Sequence, residues 1–246
     1  MIFAFFATAL VYASVGFGGG STYNALLILS QVDYNLVPII ALICNVIVVS
    51  GNCLRYHKND LIPWSFTLPV ILVSIPFAFM GGNIFIDEAL FIKILGWTLL
   101  FSGLMMFYRH QEITSVSPKL NSSIGKFISI VIAAILGFLA GLVGIGGGIF
   151  FAPMLHITQV LPTRKIAAFA SIFILVNSVA GLIGQYNKYD NLDILWLDNQ
   201  YIWLLLAVFI GGQLGSYISI KRIKPIILRR LTAGLVIYVG CRLLLI

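Results

Sequence analysis

Val15-Gly16-Phe17-Gly18-Gly19-Gly20 and Val143-Gly144-Ile145-Gly146-Gly147-Gly148 are one motif written twice, 128 residues apart, each inside an apolar stretch. Each glycine costs a regular helix about 0.5–1 kcal/mol relative to alanine, so both runs predict a break in the helix. Broken backbone leaves N–H and C=O groups that lipid cannot satisfy, and it is tolerated at membrane depth only inside protein or along a polar cavity. Paired interruptions at matching places in two halves point to a transporter's binding site.

The chain around the motif is apolar. Hydrophobic residues make up 60% and charged residues only 9%, against about a quarter charged in a soluble domain. Apolar runs close to the roughly 20 residues of a membrane crossing fall at 1–30, 36–54, 62–82, 89–108, 124–157, 163–184, 200–219 and 226–246. This predicts an all-α polytopic membrane protein in contact with the lipid bilayer. The net charge of +7 reads as loop charge on one membrane face rather than a nucleic-acid surface. Cys44, Cys53 and Cys241 have neither the number nor the spacing of a disulfide framework or zinc site, and the residues call for no cofactor or metal.

The repeat extends beyond the glycines. Ser30-Gln31-Val32 returns as Thr158-Gln159-Val160, Tyr56 to Asp60 as Tyr186 to Asp190, Phe79 to Asn83 as Phe209 to Gln213, and Gly103-Leu104 as Gly234-Leu235. The offset grows from 128 through 130 to 131. This predicts a first repeat over 1–110, a polar connector over 111–123 and a second repeat over 124–246, within one membrane domain.

Two arrangements fit the long glycine-bearing segments. Thirty helical residues would span about 45 Å against a core of about 30 Å, so each segment is either a re-entrant hairpin or one tilted, unwound crossing. With full crossings, lysine and arginine divide seven against eight. With hairpins, all but Lys93, Lys188 and Arg242 share one side, twelve against three. The positive-inside rule favours the hairpins. Each repeat is then a hairpin plus three transmembrane helices, an odd number of crossings, and the two repeats are inverted.

A hairpin broken at GxGGG starts its second arm at a helix N-terminus near mid-membrane, where free N–H groups and the positive dipole end favour an anion. Gly18, Gly19, Gly20, Gly146, Gly147 and Gly148 are therefore candidates for a backbone anion site, with Ser21 and Thr22 adding hydroxyls. Asn45, and Asn177 at a similar place in the second half, are polar at mid-span with Ser50, Ser171 and Ser178 nearby. Buried asparagine is costly unless it is paired or lines a polar path. The competing reading is close helix packing, which fits Gly137 and Gly141 best. Asn83 and Gln213 follow paired glycines and read as caps or loop residues.

The eight carboxylates, Asp33, Asp60, Asp87, Glu88, Glu112, Asp190, Asp193 and Asp198, fall near or beyond span ends, as do His57, His110 and His156. A buried proton-coupling acid is not among them. An intramembrane protease at Ser21 or Ser171 lacks a base within reach. An anion channel and a non-transporting membrane scaffold remain as alternatives to a transporter, and the oligomeric state stays open.

The run Gly141 to Leu155, with Gly144-Ile145-Gly146-Gly147-Gly148 followed by Pro153-Met154-Leu155, resembles the TauE/SafE family of sulfite exporter-like permeases. The first copy keeps the glycines but has Ala25 where the proline falls. Ala170-Ser171 matches the family's small-hydroxyl pair in the following helix. The resemblance implies an exporter of a small sulfur-containing or organic anion, such as sulfite or a sulfonate, in a bacterial cytoplasmic membrane. It does not fix the substrate.

Overall fold

The computed structural model describes residues 1–107, 123–158, 161–188, 199–220, 233–234, 237–238 and 240–245. They are helical, with no strand among them: α1 Ile2–Ser14, α2 Gly20–Leu29, α3 Leu36–Lys58, α4 Trp64–Asn83, α5 Glu88–Phe107, α6 Ser123–Val143, α7 Gly148–Thr158, α8 Thr163–Lys188 and α9 Asn199–Ile220. Residues 240–244 are helical as well. Most of the connector, the acidic run with Asp190, Asp193 and Asp198, and the basic run from Lys221 to Arg230 lie outside the described residues.

Four helices among the described residues are long and apolar enough to cross a membrane: α3, α4, α8 and α9. The chain is a membrane protein. The glycine runs interrupt the helices as the sequence predicts. Helix α1 has 13 residues and α2 has 10, about 20 and 15 Å of helix, each shorter than the hydrocarbon core.

Helices α3 and α8 form the centre. Of their most apolar windows 72% and 67% is buried, against 39% for α4 and for α9. The outer helices turn Leu68, Leu72, Trp203 and Phe209 outward, as lipid requires and water would penalise.

The halves pack reciprocally. Helix α1 lies on α9 and α6 on α4, while α4 also packs on α8 and α9 on α3. Small residues make these contacts close: Gly137 abuts Ser74 and Gly141 abuts Ala78, and in the other pair Gly211 abuts Phe6 and Gly215 abuts Leu10. Gly137 and Gly141 are therefore packing glycines. The Gly211-Gly212 pair does not end α9, because its missing side chains make room for Phe6 and Val48. Gln213 is thus an interior residue rather than a cap, and its Oε1 accepts from Arg55 Nη2 at 3.2 Å. Asn83 is the last residue of α4.

The order of contacts gives the sense in which neighbours run. Along α1 and α9, numbers rise together, from Gly211 on Phe6 to Gly215 on Leu10 and Ala13. The same holds for α4 and α6, for α4 and α8 (Phe66 on Phe169, Gly82 on Gly181), and for α3 and α9 (Val48 on Gly212, Arg55 on Ser216). Helices α3 and α8 run oppositely: Leu42 meets Gly181, while Tyr56 and Ala167 meet at Gly16.

Candidate functional site

Both glycine runs leave helical geometry and restart it. Helix α2 begins at Gly20 after Gly19 with φ +93°, and α7 begins at Gly148 after Gly147 with φ +73°. That left-handed backbone costs an L side chain about 1–2 kcal/mol, which explains a glycine just ahead of each half-helix. The second loop is wound further, with Gly146 at +80°, whereas Gly18 keeps an ordinary φ. Both runs are buried from Gly18 to Gly20 and from Gly144 to Gly148. Among the described residues, the N–H groups of Gly18, Gly19, Gly20, Gly146 and Gly147 find no hydrogen-bond acceptor, while Gly148 N donates to Gly146 O at 3.0 Å.

The two loops, far apart in the chain, converge on Asn45 of α3. Its Nδ2 donates to Gly144 O at 3.3 Å. A Cβ built on Gly20 would lie 2.6 Å from Asn45 Nδ2 and 2.7 Å from Gly144 O. One on Gly146 would lie 3.1 Å from the same Nδ2 and 3.2 Å from Ser178 Oγ, and one on Gly18 would collide with Asn45 Oδ1. Only glycine lets the loops close on this amide. Asn45 is wholly buried, and its Oδ1 has no hydrogen-bond partner.

The other expected site residues are placed differently. Ser21 and Thr22 are engaged by Tyr12, with Oγ and Oγ1 at 3.3 and 2.8 Å from its hydroxyl, which ties α2 to α1. Ser171 Oγ lies 2.8 Å from Gly16 O and 3.0 Å from Ala167 O, so α8 holds the first loop's leading carbonyl. Gly19 faces Thr8 and Tyr23, and Gly147 faces Phe173 and Leu136. Gly148 lies against Ile174 and Ala170.

Asn177 is not the counterpart of Asn45. Gly16 lies on Ala167 as Gly144 lies on Pro38, and Gly148 lies on Ile174 as Gly20 lies on Asn45. Both pairings have an offset of 129, which makes Ile174 the counterpart. Asn177 Nδ2 instead donates to Phe173 O of its own helix at 2.9 Å. The space between the loops is lined by the Asn45 amide from the first half and by the Ile174 hydrocarbon and the Ser178 hydroxyl from the second.

Asn24 is the residue the sequence reading missed. Its Nδ2 donates to Val143 O at the C-terminus of α6, joining the first half-helix to the second loop, and its Oδ1 has no partner. It sits four residues after Gly20 in an apolar arm, so the rule that singled out Asn45 would have found it. Among the described residues no three His, Cys, Asp or Glu side chains gather as a metal site would need. The arrangement offers backbone N–H groups, two helix N-termini and one neutral amide. Free N–H groups and helix N-termini are the kind of donor that favours negative charge.

The sequence profile of the family described as "Sulfite exporter TauE/SafE" matches residues 1–243. A "Probable membrane transporter protein" of Sinorhizobium fredii is 28% identical over 241 residues, 98% of this chain and 96% of that protein. Proteins of the same description from Methanocaldococcus jannaschii and Bacillus subtilis are 31% and 30% identical over 132 and 118 residues, 52% and 48% of this chain and 48% and 41% of their own. No solved structure matches.

Proposed function

The chain belongs to the TauE/SafE sulfite exporter family, and from that premise we propose that it is a secondary transporter, working as an exporter, of a small sulfur-containing or organic anion such as sulfite or a sulfonate. The observation that carries the reading is the convergence of both glycine loops, with their acceptor-free N–H groups, on the amide of Asn45. Buried N–H groups without acceptors cost about 1–3 kcal/mol each, so an anion that takes them up is stabilised at this point. Neutral donors hold it without a counter-charge, which suits cargo that must also leave.

The loops in this reading are tips of re-entrant hairpins in inverted repeats, 1–110 and 124–246. Supporting it, α1 and α3 run in one sense and α6 and α8 in the other, so the chain doubles back between the members of each pair. The side chain of Asn45 fills the gap between the tips, which makes this arrangement the closed one. Anion entry then needs the loops to part on one membrane face at a time, as alternating access requires. A bacterial cytoplasmic membrane is the proposed location.

Flux into proteoliposomes, across a panel of sulfite, an alkyl sulfonate and chloride, tests the proposal. Saturable flux of a sulfur anion is expected. Flux linear in concentration for every anion would mean a channel, and no flux above empty liposomes would mean a scaffold.

A further inference from the structure

The buried polar atoms left without partners are not scattered. Of the eight such side-chain atoms among the described residues, six lie on the two central helices: Asn45 Oδ1 and both amide atoms of Asn52 on α3, and Asn177 Oδ1, Ser178 Oγ and Gln185 Oε1 on α8. The remaining two, on Tyr23 and Asn24, belong to α2 beside the loops. All six atoms sit in residues no more than 1% exposed.

Their spacing makes two stripes. Asn45 and Asn52 are seven residues apart, as are Ser178 and Gln185, and seven residues return a helix to nearly the same face, within about 20°. Helices α3 and α8 run oppositely and meet the loops at Asn45 and at Ile174. The α3 stripe therefore leaves the loops toward the Lys58 end, and the α8 stripe leaves them toward the Lys188 end. Each stripe is followed, three residues on, by a cation. After Asn52 comes Arg55, whose guanidinium donates to the neutral Ser216 Oγ at 2.9 Å and Gln213 Oε1 at 3.2 Å, with no described carboxylate pairing it. After Gln185 comes Lys188, whose Nζ lies 5.0 Å from the Phe85 ring centroid.

Five of these six atoms lie on the two stripes, with Asn177 beside the second. Unpaired buried polar atoms are a standing cost unless water or polar cargo meets them in the working cycle. We propose that the Asn52 stripe of α3 and the Ser178–Gln185 stripe of α8 are the two halves of the permeation route, leading from the glycine loops to opposite membrane faces, with Arg55 and Lys188 drawing anions to the two mouths. The proposal rests on the transporter reading above.

The test is thiol labelling in oriented vesicles with a membrane-impermeant methanethiosulfonate, in a Cys241→Ser background that removes the exposed native thiol. Asn52→Cys is expected to react from the face bearing Lys58, and Ser178→Cys from the face bearing Lys188. Each should react at least about tenfold faster than Ile40→Cys and Ile172→Cys, which lie off the stripes, because a thiol in dry apolar surroundings stays protonated and unreactive. If Asn52→Cys fails to insert, Val49→Cys on the same stripe replaces it. Rates no faster than the off-stripe controls, or both stripes reacting from the same face, would overturn the route. Labelling reports water access without turnover, so sided labelling with no anion flux would remove the transport reading alone. Flux without labelling would remove the route alone.

Discussion

The two glycine loops share a motif and differ in what surrounds them. The first is embedded in polar contacts: Tyr12 gathers the hydroxyls of Ser21 and Thr22, Ser171 holds Gly16 O, and Asn45 lies on Gly20. The second has hydrocarbon at the matching places. Ile174 lies on Gly148, Phe173 lies on Gly147, and its tightest turns come from positive φ at Gly144, Gly146 and Gly147. Its leading carbonyl is held across the interface by Asn45. The difference teaches that a duplicated backbone device need not keep duplicated chemistry. Glycine shapes the backbone on both sides, while Asn45, the amide that lies against both loops, belongs to the first half.

Substitutions break this comparison in graded ways. Asn45→Leu, which makes the first half resemble the second, removes the Nδ2 N–H not given to Gly144 O. It is expected to lower sulfite flux by about a hundredfold, the scale of losing one preorganised donor. Membrane insertion should be retained, as read by size-exclusion of the detergent-solubilised protein. Gly147→Ala should act through the fold, since its φ of +73° and the Phe173 ring 2.9 Å from a built Cβ leave no place for a methyl. The expected cost is about 1–2 kcal/mol or more, seen as a lower thermal midpoint. Gly18→Ala meets the Asn45 amide with an ordinary φ, so it should lose flux with a smaller change in thermal midpoint. Equal thermal losses for both glycines would erase the distinction between the site-facing and the turn-forming position. Ser171→Ala leaves Gly16 O without its buried donor and should cost about 1 kcal/mol, with flux reduced less than in Asn45→Leu. Ile174→Val, a trimmed methyl on the hydrocarbon side, should cost about 0.5–1.5 kcal/mol and leave flux unchanged.

The sequence carried much of this. Breaks at Gly16–Gly20 and Gly144–Gly148 were legible because glycine's backbone cost does not depend on tertiary context. Asn45 was legible because a buried amide in an apolar span needs a reason. Which way Ser21 and Thr22 point was not: the non-helical residues before α2 reset the rotational phase, so periodicity says nothing about the faces of the next helix. The pairing of Asn45 with Ile174 was hidden by the drifting offset between halves. A second asparagine three residues further on offered the more obvious match. Gln213 was misread because paired glycines signal a helix end, whereas here they let two helices approach.

The central claim is that the anion sits between the loops at Asn45. Sulfite uptake into proteoliposomes, measured against concentration for the native chain and for Asn45→Leu, tests it most directly. Saturable uptake by the native chain, lost in a correctly inserted Asn45→Leu, is the predicted result. Asn45→Leu transporting sulfite at the native rate would contradict it.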